Sequence, residues 1–172
     1  MEHARWLDDD EQATWRAFLT AQRLVSDRVE RRLQAGAGMP LAYYEILVRL
    51  SEAPGRTLRM SVLADSAMSS RSRVSHAVAR MEEAGWITRR SCPTDRRGQL
   101  AELTEQGWQA LAAAAPDHVD TVREAVFDGL TRDQQAALRE AMEAIVAHLS
   151  DEPEWPVAGD SGPDGPDTAR AS

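Results

Sequence analysis

Residues 56–104 read RTLRMSVLADSAMSSRSRVSHAVARMEEAGWITRRSCPTDRRGQLAELT, and this stretch decides the fold. Leu63-Ala64 belongs to a short helix. Ser69-Ser70 offers an N-cap, because a serine hydroxyl accepts from an open amide of the first helical turn. From there to Ala84, Val74, Val78 and Met81 recur at i, i+4 and i+7, the spacing of one apolar helix face. The other face carries Ser72, Ser75, His76 and Arg80, with Arg73 beside them. Gly85 supplies the left-handed residue that stops a helix. Trp86 to Arg90 reads as a strand and Leu100 to Leu103 as its partner. The turn between them is Pro93-Thr94-Asp95-Arg96-Arg97-Gly98.

Charge singles out the same stretch. Residues 54–100 hold nine arginines (56, 59, 71, 73, 80, 89, 90, 96 and 97) against four carboxylates (Asp65, Glu82, Glu83 and Asp95), in a chain of formal net charge −8. A positive patch on an acidic body is the footprint of a polyanion partner, most often DNA. All twenty basic residues are arginine, which a GC-rich coding sequence explains without a functional cause.

Outside this lobe the chain predicts long helices. Trp15, Phe18, Leu19, Gln22, Val25, Val29 and Leu33 mark a helix over residues 10–34, ended by Ala35-Gly36-Ala37-Gly38 and Pro40. A second runs from Leu41 to Glu52, with Tyr44, Leu47 and Leu50 on one side, until Pro54-Gly55. Thr104 caps a fifth helix bearing Trp108, Leu111, Ala115, Val119, Val122 and Val126. Thr131-Arg132-Asp133-Gln134 is a capping box that opens a sixth, with Leu138, Met142, Ile145 and Leu149. The first, fifth and sixth helices carry apolar stripes with no evident core to cover them, so a homodimer is expected. The expected organisation is a helical dimerisation region (residues 8–53 and 105–150), a winged helix-turn-helix lobe (54–104) and a disordered acidic tail (151–172). The fold class is mostly α with a small β-hairpin.

Other chemistry finds little support. The lone Cys92 excludes a disulfide framework and fits a reducing compartment. With no long apolar run, neither a signal peptide nor a membrane span is expected, which points to the cytoplasm. Arg89, Arg90 and Arg96 near Cys92 would lower a thiol pKa, but a plain structural cysteine is the simpler reading. His3, His76, His118 and His148 are too scattered for a metal motif. No nucleotide-binding glycine loop, nucleophile elbow or metal-binding His-Glu motif occurs, so neither an enzyme nor a cofactor is expected.

Four stretches together give a resemblance. Leu63-Ala64, Ser70-Arg71-Ser72-Arg73-Val74-Ser75, Arg80-Met81-Glu82-Glu83-Ala84-Gly85-Trp86-Ile87, and Asp95-Arg96-Arg97 followed by Leu103-Thr104 and Gly107 resemble, in order and spacing, the MarR family of bacterial transcriptional regulators. The likeness covers residues 8–149. It departs at Met68 and Ser69, where the family commonly has Gly and an apolar residue.

The resemblance implies a dimeric winged-helix regulator, with a repressor of promoter DNA as the expected role. A major groove admits one α-helix, whose N-terminal polar and basic side chains approach the base edges. Ser70, Arg71, Ser72, Arg73, Ser75 and His76 fit that requirement. In the wing, the resemblance makes Arg97 the residue inserted into the minor groove, held by Asp95, with Arg96 toward phosphate. Arg80 either touches DNA or pairs with Glu83 or Glu82, an even choice by helix spacing. Relatives also bind small, often aromatic anions between the dimer helices and the lobe. Trp15, Phe18, Tyr43, Tyr44 and Arg49 lie on the elements that would line such a crevice. The competing reading is a helical protein-interaction module that has kept the winged fold and lost DNA binding.

Overall fold

The computed structural model describes residues 4–66, 71–92 and 95–149; of residues 65, 66, 71 and 95–97 only the backbone enters the description. The expected Ser69-Ser70 cap, the Pro93-Thr94 tip and the 151–172 tail lie outside the described residues. The chain divides after Leu130 into two units.

The first unit opens with α1 (Asp9–Ala37), started by a reciprocal cap between Asp8 and Glu11. The helix runs three residues past its expected end. A single interior glycine costs only about 1 kcal/mol, and Gly36 lets α1 approach its neighbour: a Cβ there would lie 2.8 Å from the Asp117 carboxylate. Gly38, at φ 61°, makes the actual stop. Helix α2 (Leu41–Glu52) follows Pro40, which offers no side-chain cap. The Glu30 carboxylate substitutes by accepting from the Leu41 amide at 2.8 Å.

A short turn over Pro54–Arg56 leads to β1 (Thr57–Arg59) and α3 (Met60–Ser66). Then come α4 (Arg71–Glu83), β2 (Ile87–Cys92) and β3 (Asp95–Leu103). The expected hairpin is two-thirds of a three-stranded antiparallel sheet in the order β1-β3-β2. Ala101 is the centre, facing Leu58 on one side and Arg89 on the other. Three residues are too few to show alternation, so β1 is invisible to a pattern reading; its pairing with β3 is a tertiary effect.

Helix α5 (Glu105–Val122) passes through Pro116 and loosens into a π-turn over Arg123–Phe127. It packs along α1 and against α2. The core joins Val29, Leu33, Leu47, Leu50, Leu63, Val78, Met81, Ile87, Leu103, Leu111 and Ala114, so one apolar body underlies both long helices and lobe. Leu111, read from the sequence as part of the α5 stripe, therefore faces its own chain.

The second unit holds α6 (Arg132–Leu149). Its capping box is formed: the Gln134 amide donates to Thr131 Oγ1 at 3.2 Å, and the Thr131 amide to Gln134 Oε1 at 2.9 Å. No residue of α6 is buried, and Leu138, Ile145, Val146 and Leu149 are exposed.

Candidate nucleic-acid interface

The two faces of α4 separate cleanly. Val74, Ala77, Val78 and Met81 are buried, at the i, i+3, i+4, i+7 spacing of a core stripe. Ser72, Arg73, Ser75 and His76 are exposed on the other side. Helix α4 thus presents short polar and cationic side chains near its N-terminus, the residue types that reach base edges in a major groove. Ser70 and the side chains of Arg71, Asp95, Arg96 and Arg97 fall outside the described residues.

The end of α4 is set by Gly85 at φ 75°. Its amide bonds the Glu82 carbonyl at 2.9 Å, and the Trp86 amide bonds the Met81 carbonyl at 2.8 Å. This Schellman arrangement turns the chain sharply into β2. The last carbonyls are then taken up by the start of α5. Gln106 Nε2 donates to the Ala84 carbonyl at 3.1 Å, and Thr104 Oγ1 to that of Gly85 at 2.7 Å. Thr104 also caps α5, accepting from the Gly107 amide at 3.0 Å. Gly107 lies flush on the turn; a Cβ there would stand 2.2 Å from the Trp86 carbonyl oxygen.

Several arginines that looked like free charge are engaged by carboxylates. Arg80 pairs with Glu83 at 2.9 Å. Glu82 takes Arg89, whose Nε donates at 2.7 Å and whose amide donates at 3.1 Å. The Arg89 side-chain hydrogen bond holds the Glu82 carboxyl below its usual range. Arg90 bonds Glu102 at 2.9 Å across the sheet. Arg56 reaches Glu105 at 3.5 Å and lies over the Trp108 ring at 4.5 Å. Glu102 and Glu105 sit just past the window in which the sequence shows its positive excess, so the sheet and the start of α5 are closer to neutral than that window suggests.

A cavity of about 650 Å³ opens between the end of α1, α2 and α4. Of the residues expected to hold a ligand, Tyr43 and Arg49 line it. Tyr44 points into the core, its ring 4.2 Å from that of His118. Trp15 and Phe18 stack on each other at 5.8 Å on α1 and line no part of this cavity. The sequence reading missed Glu30 and Glu45, gave Arg73 and His76 to the DNA side only, and left Arg80 between DNA and an ion pair; all five line the cavity. Burial raises the Glu45 carboxyl above its ordinary pKa, with Arg49 opposing and Glu30 adding to the rise. Periodicity marks which face of a helix is apolar; it does not show that α2 and α4 face each other across a gap. Cys92 is buried on β2, and no group of three or more potential metal ligands occurs among the described residues. No described helix is long and apolar enough to cross a membrane.

The comparisons agree with this geometry. The sequence model of the MarR family matches residues 37–98. A MarR family transcriptional regulator from Streptomyces coelicolor, Sco3205, crystallised in complex with DNA, is 50% identical, with a TM-score of 0.80 over 87% of this chain and 93% of that one. The chain belongs to the MarR family. A second Streptomyces coelicolor member, AbsC, is 43% identical with a TM-score of 0.78, over 85% of this chain and 98% of that one. The transcriptional regulator HosA of Escherichia coli O111:H- is 27% identical over 70% of this chain and 87% of its own length. This MarR protein is thus a winged-helix transcriptional regulator, and the family's members are not enzymes.

Proposed function

We propose that this MarR protein is a cytoplasmic, homodimeric repressor that binds double-stranded DNA at a pseudo-palindromic promoter site. Residues 54–104 serve as the DNA-binding lobe, and residues 8–53 and 105–150 as the dimerisation region. Ser70, Arg71, Ser72, Arg73, Ser75 and His76 enter the major groove. Arg97, braced by Asp95, enters the minor groove, and Arg96 meets phosphate. The observation that carries this reading is the α4 face on which Ser72, Arg73, Ser75 and His76 all stand exposed above a fully buried stripe. The DNA complex of the 50%-identical Sco3205 supports it. Two-fold symmetry then sets half-sites about one turn, ~34 Å, apart.

A small aromatic or anionic ligand relieves repression in this reading. The α2–α4 cavity supports it, because Arg73 and His76 belong to both the cavity wall and the exposed face of α4. A ligand anion that draws Arg73 inward binds the DNA-free state better, and only such a difference shifts the balance.

The test is binding to DNA of the protein's own promoter region by fluorescence anisotropy across a salt series. Arg73→Ala weakens binding and relaxes preference at one position by about 1–3 kcal/mol. Arg97→Ala lowers the slope of log affinity against log salt by roughly one unit. Arg132→Ala, on α6, serves as the control. Wild-type affinity in both arginine variants at every salt concentration would remove the DNA-binding assignment of α4 and the wing.

A further inference from the structure

Two side chains tie the recognition lobe to α5 from separate elements. From the α5 side, Gln106 lies across Gly85 and donates to the Ala84 carbonyl at 3.1 Å, at the end of α4. A Cβ on Gly85 would meet Gln106 Oε1 at 2.9 Å, so the amide rests directly on the glycine. From the lobe side, Arg56 precedes β1 and reaches α5 through Glu105 and the Trp108 ring. Arg56 is the one non-glycine residue with positive φ, 53°, among the described residues, and it directly follows Gly55 at φ 62°. Non-glycine residues pay for that conformation, so it persists where surrounding contacts impose it. Neither side chain touches the exposed face of α4, and neither is core: Gln106 is exposed and Arg56 is 40% exposed in its side chain.

Helix α5 also packs along α1, so the tilt of α4 against α5 converts the geometry of the long helices into the position of the recognition face. Gly107 makes the contact tight and Thr104 fixes its centre; beside the packing of α4 on α2, α3 and β2, bonds at the end of α4 and ahead of β1 set the remaining tilt. We propose that Gln106 and Arg56 are positioning residues that lock the recognition helix to the first turn of α5, and thereby set the half-site spacing the dimer accepts. This rests on the homodimeric, palindrome-binding reading above.

The experiment uses the full chain and a set of palindromic DNA duplexes built from its promoter site, with the half-sites moved apart or together by one base pair at a time. Each base pair shifts a half-site by about 3.4 Å along the axis. Wild type should prefer one spacing over its neighbours by tenfold or more, about 1.4 kcal/mol by the affinity constant. Arg56→Gly removes the lock and the backbone strain together, so its folding stability stays near wild type. The double variant Arg56→Gly/Gln106→Ala should cut the spacing preference to about threefold or less. A purely structural role would weaken every spacing equally and leave the ratio unchanged; that result, at a retained urea midpoint, overturns the proposal. Gln106→Glu keeps the shape but loses the donor, and its ratio should fall toward the double variant's; a wild-type ratio there also counts against the lock. If wild type itself shows no two-half-site binding, the palindromic dimer reading fails first, and the two failures are told apart.

Discussion

Helices α4 and α1 both carry apolar residues at three- and four-residue steps, yet their stripes end in different surroundings. On α4, Val74, Ala77, Val78 and Met81 are all buried by the chain itself. On α1 only Val29 and Leu33 are, while Trp15 is 51% and Leu19 43% exposed. Helix α6 goes further, with no buried residue at all. Equal periodicity therefore means two things. It is a core face where the sheet and α2 stand opposite, and an unfilled face where no described residue of the same unit does. Large exposed apolar patches mark interaction surfaces; in the homodimer proposed above, the exposed apolar side chains of α1 and, separately, those of α6 are the ones a second copy would cover.

The sharpest contrast comes from deleting side chains in the closed stripe. Met81 is fully buried, and Met81→Ala removes its packing and leaves a cavity. The expected loss is about 2–5 kcal/mol of folding stability, read as a lower urea midpoint. A loss below about 1 kcal/mol would mean that the lobe relaxes around the gap and that its core is not close-packed.

The open stripes should fail in another way. Leu19→Glu and Leu138→Glu place a carboxylate where a second chain would bury leucine. Losing that burial costs roughly 3 kcal/mol per dimer, counted over both copies, or about a hundredfold in the dimer dissociation constant. Sedimentation should show monomer at micromolar concentration, with helical circular dichroism largely retained. An unchanged dimer in both variants would place the interface elsewhere.

Much of this was legible because it depends on local rules. The Gly85 stop, the Thr104 cap, the Thr131-Gln134 box and the α4 stripe follow from φ preference, hydroxyl geometry and helical spacing, and each is present. What was not legible depends on who stands opposite. Strand β1 exists because β3 offers it an edge. Leu111 reads as one more stripe residue, but the core covers it. Arg89 and Arg90 read as charge for DNA, but the fold brings Glu82 and Glu102 to them. The cavity wall drew residues from α1, α2 and α4 that no spacing links, whereas Tyr44, equally aromatic, turned to the core.

The smallest effect tests whether the α2–α5 contact belongs to the closed kind of surface. His118 on α5 packs against Tyr44 of α2 with the rings tilted by 35°, and its Nδ1 is buried with no hydrogen-bond partner among the described residues. Burial holds the imidazole pKa below its usual 6.5, and it raises that of Tyr44, so no anion forms there to favour an imidazolium. The unfolded chain therefore takes up the proton first as pH falls. Stability from this site is fully present above about pH 6.5, declines as pH drops through that value toward the folded-state pKa, and levels off below it. His118→Phe keeps a ring on Tyr44 and removes both the titration and the unpaired nitrogen. Wild type should lose more Tm than His118→Phe between pH 7.5 and pH 5.5. Glu45, whose raised pKa acts in the opposite direction, is common to both proteins and cancels in the comparison. The Glu82 carboxyl, held low by Arg89, titrates below this window. Parallel Tm curves for the two proteins would show that the ring is solvated in solution and that α2 and α5 part there more readily than the closed core of α4 allows.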